Sequence, residues 1–221
     1  LKERGVRLDF VIDEGLLITE GIMPGLDKPT AIIGVAEKGY LSVQVTIDTV
    51  PGHSSMPPPE GTSAIAMMAA ALQQIDRNPM PASISGVADD MFATIAPEMN
   101  GLSRVALSNL WLFGPVVRRQ LEAGASTNAM LRTTTALTVA RAGDADNVLP
   151  GQAQAVINYR MLPGDDSATV IARLKGQIAE SLGHERFTLQ ALPGASEASP
   201  VASSQSEPFL LVNRTVREVF P

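Results

Sequence analysis

The sequence predicts a two-layer α+β domain, in which a four-stranded antiparallel sheet carries two main helices on one face. Two observations lead to this fold class. Four segments have the alternation or composition of strands, and two amphipathic helical segments separate them. The order over residues 38–192 is strand, helix, insert, strand, strand, helix, strand. This order is typical of a ferredoxin-like domain, whose other sheet face is left partly open.

The first predicted strand is YLSVQVTIDTV, residues 40–50. Its apolar side chains, Leu41, Val43, Val45 and Ile47, alternate with polar ones. Because successive side chains of a strand point to opposite faces, this pattern predicts a half-exposed antiparallel strand.

Three later segments complete the predicted sheet. They are AMLRTTTALTVARAG (129–143), GQAQAVINYRML (151–162) and RFTLQAL (186–192). In the middle segment, Ile157 and Tyr159 alternate with Asn158 and Arg160, so the two polar side chains are expected on one face.

Two segments have the apolar spacing of helices that cover a sheet. The first, residues 61–76, can be capped by Thr62 or Ser63. Its predicted buried stripe consists of Ile65, Met68, Leu72 and Ile75. The second helix, residues 166–183, has a predicted stripe of Ile171, Leu174, Ile178 and Leu182.

The remaining segments are assigned outside this sheet. VRLDFVIDEG, residues 6–15, is predicted to be a buried strand that ends in an acidic loop, and PTAIIGVAEKG, residues 29–39, is a second strand candidate. The insert contains LSRVALSNLWLFGPVVRRQLEAG, interpreted as two short helices joined at Gly114-Pro115. A Ser/Pro/Ala-rich linker follows residue 192 and leads into a last helix.

Composition excludes several function classes. Hydrophobic residues make up 45% of the 221 residues and the net charge is −6, so the chain is globular and is not built for nucleic acid or an anionic membrane. It has no cysteine, which excludes thiol catalysis and cysteine-ligated zinc. The sequence contains no run of about 18 apolar residues, so it predicts no membrane span. The chain starts without Met, so we expect it to be part of a longer protein, and we make no prediction of its compartment.

His53 is one of only two histidines, and it lies in TVPGHSSMPPPEGTSA, residues 49–64. Glycine before it and prolines after it restrict the loop, as a positioned functional group requires. Four readings remain open from the residues alone. The imidazole could be a general acid or base, a metal ligand, a donor to a developing oxyanion, or an ordinary surface side chain.

Four other residues are candidates for chemistry or for ordinary surface roles. Asp13 ends a predicted strand and could bind a cation, or it could be a turn residue. Arg160 could hold a substrate carboxylate with its planar fork, or form an exposed salt bridge. Asn147 could be a plain turn residue, and His184, after a helix end, is interpreted as surface. No phosphate-binding loop or dinucleotide fingerprint is present, and nothing in the sequence clusters with Asp13 to complete a metal site.

Together, these segments resemble the zinc-dependent amidohydrolase and exopeptidase family of carboxypeptidase S, aminoacylase, glutamate carboxypeptidase and succinyl-diaminopimelate desuccinylase. The matching stretches include FVIDEG, VAEKG, TVPGHSSMPPPEGTSAI, NLWLFGPVV, TNAMLRTTTALT, DNVLPGQAQAVINYR and VREVFP. They run from near residue 10 to the end. The resemblance is strongest to the branch of carboxypeptidase S and the N-fatty-acyl-amino-acid hydrolases.

The resemblance implies a division into domains. Residues 1–37 would be a fragment of an α/β zinc-peptidase catalytic domain. Residues 38–192 would be the lid, or dimerisation, domain, with a helical insert at about 79–127. Residues 193–221 would be a linker that returns into the catalytic domain.

The resemblance also implies roles for four residues. Asp13 would ligate one zinc of a two-zinc pair. His53 would reach into the active site, commonly that of the partner subunit, and donate a hydrogen bond to the tetrahedral oxyanion. Asn147 and Arg160 would bind substrate, with Arg160 on its carboxylate. The other zinc ligands and the glutamate base would lie outside residues 1–221.

The implied activity is zinc-dependent hydrolysis of an amide bond next to a free carboxylate, in a C-terminal dipeptide or an N-acyl amino acid. We expect the full-length protein to be the enzyme and a homodimer through the lid, whereas this chain alone is expected to be inactive and to bind zinc weakly or not at all. The alternative is a non-catalytic dimerisation or binding module, whose polar strand at 40–50 stands at a sheet edge.

Overall fold

The computed structural model describes residues 2–13, 18–21 and 25–220. They form two compact units. The sheet unit consists of residues 38–83 and 121–199, and the helical unit consists of residues 1–37, 84–120 and 200–221. The assignment of these ranges to a lid domain and a catalytic domain stays a prediction.

Regular elements account for most of the described residues. The strands are β1 (Ile18–Thr19), β2 (Thr30–Ala31), β3 (Gly39–Asp48), β4 (Gly52–His53), β5 (Thr134–Ala142), β6 (Val148–Leu149), β7 (Gln152–Met161) and β8 (Thr188–Ala191). The helices are α1 (Ala64–Arg77), α2 (Val87–Ile95), α3 (Gly101–Leu107), α4 (Leu110–Glu122), α5 (Ala125–Leu131), α6 (Ser167–Leu182) and α7 (Glu207–Val219), with 3₁₀ turns at Lys2–Arg4 and Ala96–Glu98.

The main sheet confirms the predicted fold class. Its strand order is β5-β7-β3-β8 and every neighbouring pair is antiparallel. With α1 after β3 and α6 after β7, this is the ferredoxin-like order of strands and helices. Strand β3 pairs with β7 over its whole length, from Gly39↔Met161 to Asp48↔Gln152.

The prediction that the strand at residues 40–50 stands at a sheet edge is wrong, because β3 lies between β7 and β8. Its polar side chains, including Ser42 and Gln44, indicated an open face. Alternation reports which face of a strand meets solvent and carries no information on its neighbours in the sheet. The edge strands of this sheet are β5 and β8.

The core lies between the sheet and helices α1 and α6. The alternate side chains predicted to be apolar on β3 are all buried, as are those of β7 that share their face. The fully buried members include Leu41, Val43, Val45, Ile47, Ala155, Ile157, Met161, Val170, Leu174 and Ile178. Burial of this kind contributes about 25 cal/mol per Å² of apolar surface, so this layer is the main source of the unit's stability.

The helix that follows β3 has a slightly different buried stripe from the predicted one. Met68 and Ile75 are buried as expected, but Ile65 is 50% exposed and Ala64 and Ala71 are buried instead. A small side chain lets a helix approach a sheet closely, so alanine fills the contact positions that a search for large apolar residues overlooks. Ser63 caps the helix, since its Oγ accepts a hydrogen bond from the Ala66 N–H at 3.3 Å.

The α6 helix conforms more closely to the sequence pattern. Leu174 and Ile178 are buried, while Ile171 and Leu182 pack at the margin of the core. The Asp166 carboxylate caps its first turn by accepting from the Thr169 N–H at 2.7 Å, and Gly183 ends it in the left-handed conformation.

Two strand predictions, for residues 6–15 and for residues 29–39, are corrected. Residues 6–13 form no strand and are exposed, and no described residue pairs with them. A buried strand needs hydrogen-bonded neighbours on its edges, which these residues lack. The predicted loop at Glu14 and Gly15 lies outside the described residues. The strand predicted over residues 29–39 is reduced to the two residues of β2.

The insert is more helical than predicted. It contains α2, α3 and α4, and Gly114 and Pro115 lie inside α4. Proline disfavours helical backbone in the residue before it through clash with that residue's Cβ, and Gly114 has none. The helix α5 also occupies the start of the segment predicted as a strand at 129–143, so β5 begins only at Thr134. No helix in the described ranges is long and apolar enough to cross a bilayer.

Candidate functional site

The loop that carries His53 is joined to the loop that carries Asn147. Strand β4 pairs antiparallel with β6, with His53 opposite Val148. The Ser54 N–H donates to the Asn147 carbonyl at 3.1 Å, and the Thr49 N–H donates to the Gly151 carbonyl at 2.7 Å. Two residues that were predicted separately from the sequence therefore lie side by side at one end of the sheet.

The contacts of the His53 ring define its protonation pattern. The Ser55 backbone N–H lies 3.2 Å from Nδ1, and the Ser55 hydroxyl lies 2.8 Å from the same atom. A backbone N–H can only donate, so Nδ1 carries a lone pair and the neutral ring has its proton on Nε2. The exposed edge of the imidazole therefore presents an N–H donor. Of the four readings open from sequence, this tautomer favours donation to an oxyanion.

The loop around His53 is held by short-range contacts. The Met56 N–H donates to the His53 carbonyl at 3.0 Å, and the Thr62 N–H donates to the Pro59 carbonyl at 3.2 Å. Pro57, Pro58 and Pro59 each fix φ, which lowers the number of conformations open to the loop. The side chain of His53 is exposed while its backbone is constrained, as a group that acts on an external ligand requires.

Asn147 contributes its backbone to the loop junction and keeps its side chain available. The residue is exposed, and its side-chain amide forms no hydrogen bond within residues 2–13, 18–21 and 25–220. The amide offers both a donor and an acceptor beside the His53 loop, which suits contact with a polar ligand.

Arg160 lies on the open face of the sheet, opposite Tyr40 on β3 and Thr134 on β5. Its guanidinium carbon is 5.1 Å from the centre of the Tyr40 ring, which is the geometry of a cation–π contact. Within the described part of the chain, Arg160 has no carboxylate partner. Lys38 lies nearby, and its pKa is lowered by burial and by the charge of Arg160. Two cations here make this end of the sheet suitable for an anion.

The structure does not bring Arg160 together with His53 and Asn147 in one chain. The β4–β6 junction follows directly from the end of β3 at Asp48, which pairs with Gln152, whereas Arg160 lies at the other end of β7. Eight residue steps separate Gln152 from Arg160, about 26 Å at ~3.3 Å per residue. The predicted substrate residues thus form two separate groups.

The remaining predicted residues stand alone. Asp13 is exposed and belongs to the helical unit. Across the described residues no group of three or more His, Cys, Asp or Glu side chains is arranged to hold a metal ion, so these residues by themselves do not fit a zinc centre. His184 is half-buried, and its Nδ1 accepts from the Arg186 N–H at 3.2 Å, as a residue at the surface after a helix end can.

Two residues of these groups were missed from the sequence. Ser55 fixes the His53 tautomer, and its position two residues after the histidine is the signal that would have identified it. Tyr40 makes a cation–π contact with Arg160, but that contact depends on the register of β3 against β7, which the sequence pattern does not give.

Comparison with known proteins identifies the family. The peptidase dimerisation domain matches residues 35–186, more than half of the chain. Relatives extend over the whole chain: the "N-fatty-acyl-amino acid synthase/hydrolase PM20D1" of Mus musculus is 39% identical over 224 residues, covering 100% of this chain and 43% of its own length. The "Probable carboxypeptidase S-like 2" of Dictyostelium discoideum is 36% identical over 214 residues, covering 96% of this chain and 40% of its own.

Solved structures share the fold. A metallo-carboxypeptidase of the M20 family from Sulfolobus solfataricus, Sso-CP2, superposes with a TM-score of 0.50 at 15% identity, over 84% of this chain and 50% of its own. Human carnosine dipeptidase 1 superposes with a TM-score of 0.50 at 10% identity, over 85% of this chain and 42% of its own.

The curated relatives are much longer than this chain, which spans 40% to 43% of the two described above. The resemblance to the carboxypeptidase S and N-fatty-acyl-amino-acid hydrolase branch, drawn from the sequence motifs, is confirmed. The chain belongs to the peptidase dimerisation domain family.

Proposed function

We propose that the full-length protein is a zinc-dependent hydrolase that cleaves an amide bond next to a free carboxylate, and that this chain supplies its lid. The observation that carries the proposal is the His53 imidazole, whose Nε2–H is presented at the end of a constrained loop beside Asn147. The names of the relatives agree with this chemistry, since one is an N-fatty-acyl-amino acid synthase/hydrolase and another a carboxypeptidase S-like protein.

Zinc would be held largely by residues outside this chain. Asp13 is the ligand we assign to residues 1–221, and a single exposed carboxylate is not a metal site. The described residues support no complete ligand set, so the role of this chain is derived from its own hydrogen-bond donors and cations.

His53 would stabilise the reaction's developing negative charge. Attack on an amide carbonyl converts its oxygen into an oxyanion, and a positioned N–H donor binds that oxygen more strongly than the neutral carbonyl. The Ser55 N–H donates to Nδ1, so the neutral ring carries its proton on Nε2 and can donate a hydrogen bond from there to the oxyanion. Asn147 beside it would bind a polar group of the same substrate.

Arg160 would recognise the free carboxylate of the substrate. A guanidinium binds a carboxylate through two parallel N–H donors, and that geometry distinguishes a carboxylate from a neutral amide. The absence of a competing carboxylate beside Arg160 in the described residues supports this assignment, as does the nearby Lys38, whose charge adds to the local positive potential.

The separation of the two groups supports an active site shared between two copies. A substrate of ordinary size does not span the roughly 26 Å of strand between them. If His53, Asn147 and Arg160 serve one site, two of them must come from one subunit and Arg160 from the other. The protein would therefore be a homodimer, in agreement with the name of its family.

The β5 strand is the edge that best suits such a dimer. It is nine residues long, against four for the other edge strand, β8, so it can form more hydrogen bonds to a second sheet. Leu137 and Val139 on it are 42% and 37% exposed, which adds apolar surface to that edge.

The experiment that tests the proposal is an assay of the full-length protein. N-acyl amino acids and C-terminal dipeptides are supplied as substrates, with and without a zinc chelator, for the wild type and His53→Ala. We expect hydrolysis that the chelator abolishes and a large fall in kcat in the variant. Hydrolysis that persists undiminished in chelator, or an unchanged kcat in His53→Ala, would contradict the proposal.

A further inference from the structure

The Arg160 side chain rests on an aromatic platform that the sequence did not suggest. Tyr40 and Arg160 are directly paired in the β3–β7 ladder, and the guanidinium carbon lies 5.1 Å from the ring centre. Arginine is the cation that stacks best on an aromatic face, because its planar group covers the ring while its N–H edge stays free.

The platform is itself held by a chain of hydrogen bonds. The Ser42 hydroxyl donates to the Tyr40 phenol oxygen at 3.1 Å, and the Asn158 amide donates to the Ser42 hydroxyl at 3.0 Å. Ser42 is only 7% exposed, so this contact is shielded from water. Ser42 and Asn158 are the next paired residues on this face after Tyr40 and Arg160. The four side chains form one connected group on the open face of the sheet.

The backbone of Tyr40 is fixed as well. Its N–H donates to the Ser196 carbonyl at 2.8 Å, and its carbonyl accepts from the Ser196 N–H at 2.9 Å. Gly39 before it has no space for a side chain, since a Cβ would lie 2.7 Å from the Ala198 nitrogen and 2.8 Å from the Ser196 carbonyl oxygen. The close approach of this segment therefore depends on glycine and locates the ring under the guanidinium.

The contacts around Arg160 leave its donors available to a ligand. The cation–π contact takes no hydrogen-bond acceptor, and no described residue accepts a hydrogen bond from the Arg160 guanidinium, whereas an ion pair would have occupied its N–H donors. No carboxylate in the described residues pairs with Arg160, and Lys38 close to it carries a charge of the same sign. An arginine that is oriented by an aromatic ring and unpaired is arranged to receive an anion rather than to stabilise the fold.

We infer that Tyr40 is a positioning residue for carboxylate recognition, which holds the Arg160 guanidinium with its N–H edge toward the ligand. The inference rests on the proposed function, since it takes the substrate carboxylate as the ligand of Arg160. Ser42 and Asn158 act one step further away by fixing the ring. A fixed guanidinium gives up less side-chain entropy when the carboxylate binds, so the platform adds to the preference for a free carboxylate over a neutral group.

The test uses the full-length enzyme and two matched substrates, an N-acyl amino acid and its C-terminal carboxamide. The measured quantity is the ratio of kcat/KM for the acid to that for the amide. We expect Tyr40→Leu to lower this ratio by about threefold to tenfold, mainly through KM for the acid. Tyr40→Trp, which restores an aromatic face, should keep most of the ratio, whereas Tyr40→Phe keeps the ring but loses the bond from Ser42 and should fall between the wild type and Tyr40→Leu.

Further variants separate this inference from its premise. Arg160→Ala should remove the preference for the acid almost entirely, and Thr46→Val, on the same face of β3, should leave it unchanged. Ser42→Ala keeps the ring but breaks its anchor, so it should lower the ratio less than Tyr40→Leu. It also provides a second test if the leucine variant folds poorly, as judged by its thermal unfolding temperature.

The outcomes are distinguishable. If Arg160→Ala keeps the full preference for the acid, the proposed role of Arg160 is wrong. If Arg160→Ala loses the preference while Tyr40→Leu and Ser42→Ala retain it, only the role of Tyr40 is wrong. Equal losses with the acid and the amide in Tyr40→Leu would indicate a purely structural role and would also overturn the inference.

Discussion

His53 stands opposite Val148 in the short antiparallel ladder that joins the β3–α1 loop to the loop before β7. The ladder holds the imidazole beside Asn147 and leaves its Nε2–H directed away from the Ser55 contact. This arrangement suits a hydrogen-bond donor to an oxyanion. Loss of such a donor is expected to lower kcat more than it changes KM.

Replacing His53 by alanine in the full-length enzyme should lower kcat by about 10²- to 10³-fold with little change in KM, because the lost contact is made mainly in the transition state. Steady-state kinetics on an N-acyl amino acid measures both parameters. His184→Ala is the matched control, since it removes the other histidine, which is half-buried after the end of α6, and it should retain wild-type kcat. A rise in KM alone would indicate that His53 only binds substrate.

Mixing two variants that are each impaired on the acid substrate should restore activity on it. In a dimer of one His53→Ala subunit and one Arg160→Ala subunit, one of the two shared sites receives both intact residues and the other receives neither. Random mixing should therefore recover about a quarter of wild-type sites. The measurement is activity after the two purified variants are unfolded and refolded together, with each variant refolded alone as control. If no activity returns although mixed dimers form, His53 and Arg160 act from one subunit or in different sites.

The sequence predicted buried faces better than it predicted neighbours. Alternation along β3 identified the four apolar side chains that are buried, but the polar character of Ser42 and Gln44 led to the prediction of an edge strand. The same limit hid the contact between Tyr40 and Arg160, which exists only in one register of β3 against β7. Register depends on contacts between segments that are distant in sequence, and a local pattern does not predict those contacts.

The candidate residues show the same division. The local motif around His53 was sufficient to predict an ordered loop. That this loop contacts Asn147 could be seen only in the structure, because the two segments are distant in sequence. The prediction of a buried strand in residues 6–15 was wrong for a related reason: the apolar side chains suit a strand, but over the described residues 6–13 no described residue pairs with the backbone.

A charge on the β5 edge should weaken the dimer. Val139→Lys adds a cation to a partly exposed position on this strand, and two such charges would meet across a two-fold interface. We expect the full-length variant to sediment mainly as a monomer and to lose activity in parallel, if the active site is shared. Thr188→Lys on the other edge strand is the control and should remain dimeric. If Thr188→Lys is monomeric and Val139→Lys remains dimeric, the interface is formed by β8 instead.

Two glycine substitutions should have opposite effects on stability. A Cβ at Gly39 would lie 2.7 Å from a backbone nitrogen, so Gly39→Ala forces the chain apart and should lower the free energy of unfolding by about 1–3 kcal/mol. Gly176 lies inside α6 with open space around it, and Gly176→Ala should raise stability by about 0.5–1 kcal/mol through helix propensity. Thermal and denaturant unfolding measure both.

Gly39→Ala should also reduce the preference for acid over amide substrates, since Tyr40 follows it directly.

The cap of α6 should make a part of the stability depend on pH. Hydrogen bonds from Thr169 to Asp166 lower the pKa of this carboxyl, so the folded state favours the ionised form more than the unfolded state does. The contribution is present above the unfolded pKa of an aspartate and is lost as the pH falls through the lower, folded value. Asp166→Asn keeps a capping oxygen but cannot titrate there. Unfolding temperatures measured from neutral to acidic pH should therefore converge for the wild type and the variant as the wild type loses its ionised cap. A difference between them that stays constant over this range would show that Asp166 does not contribute through its charge.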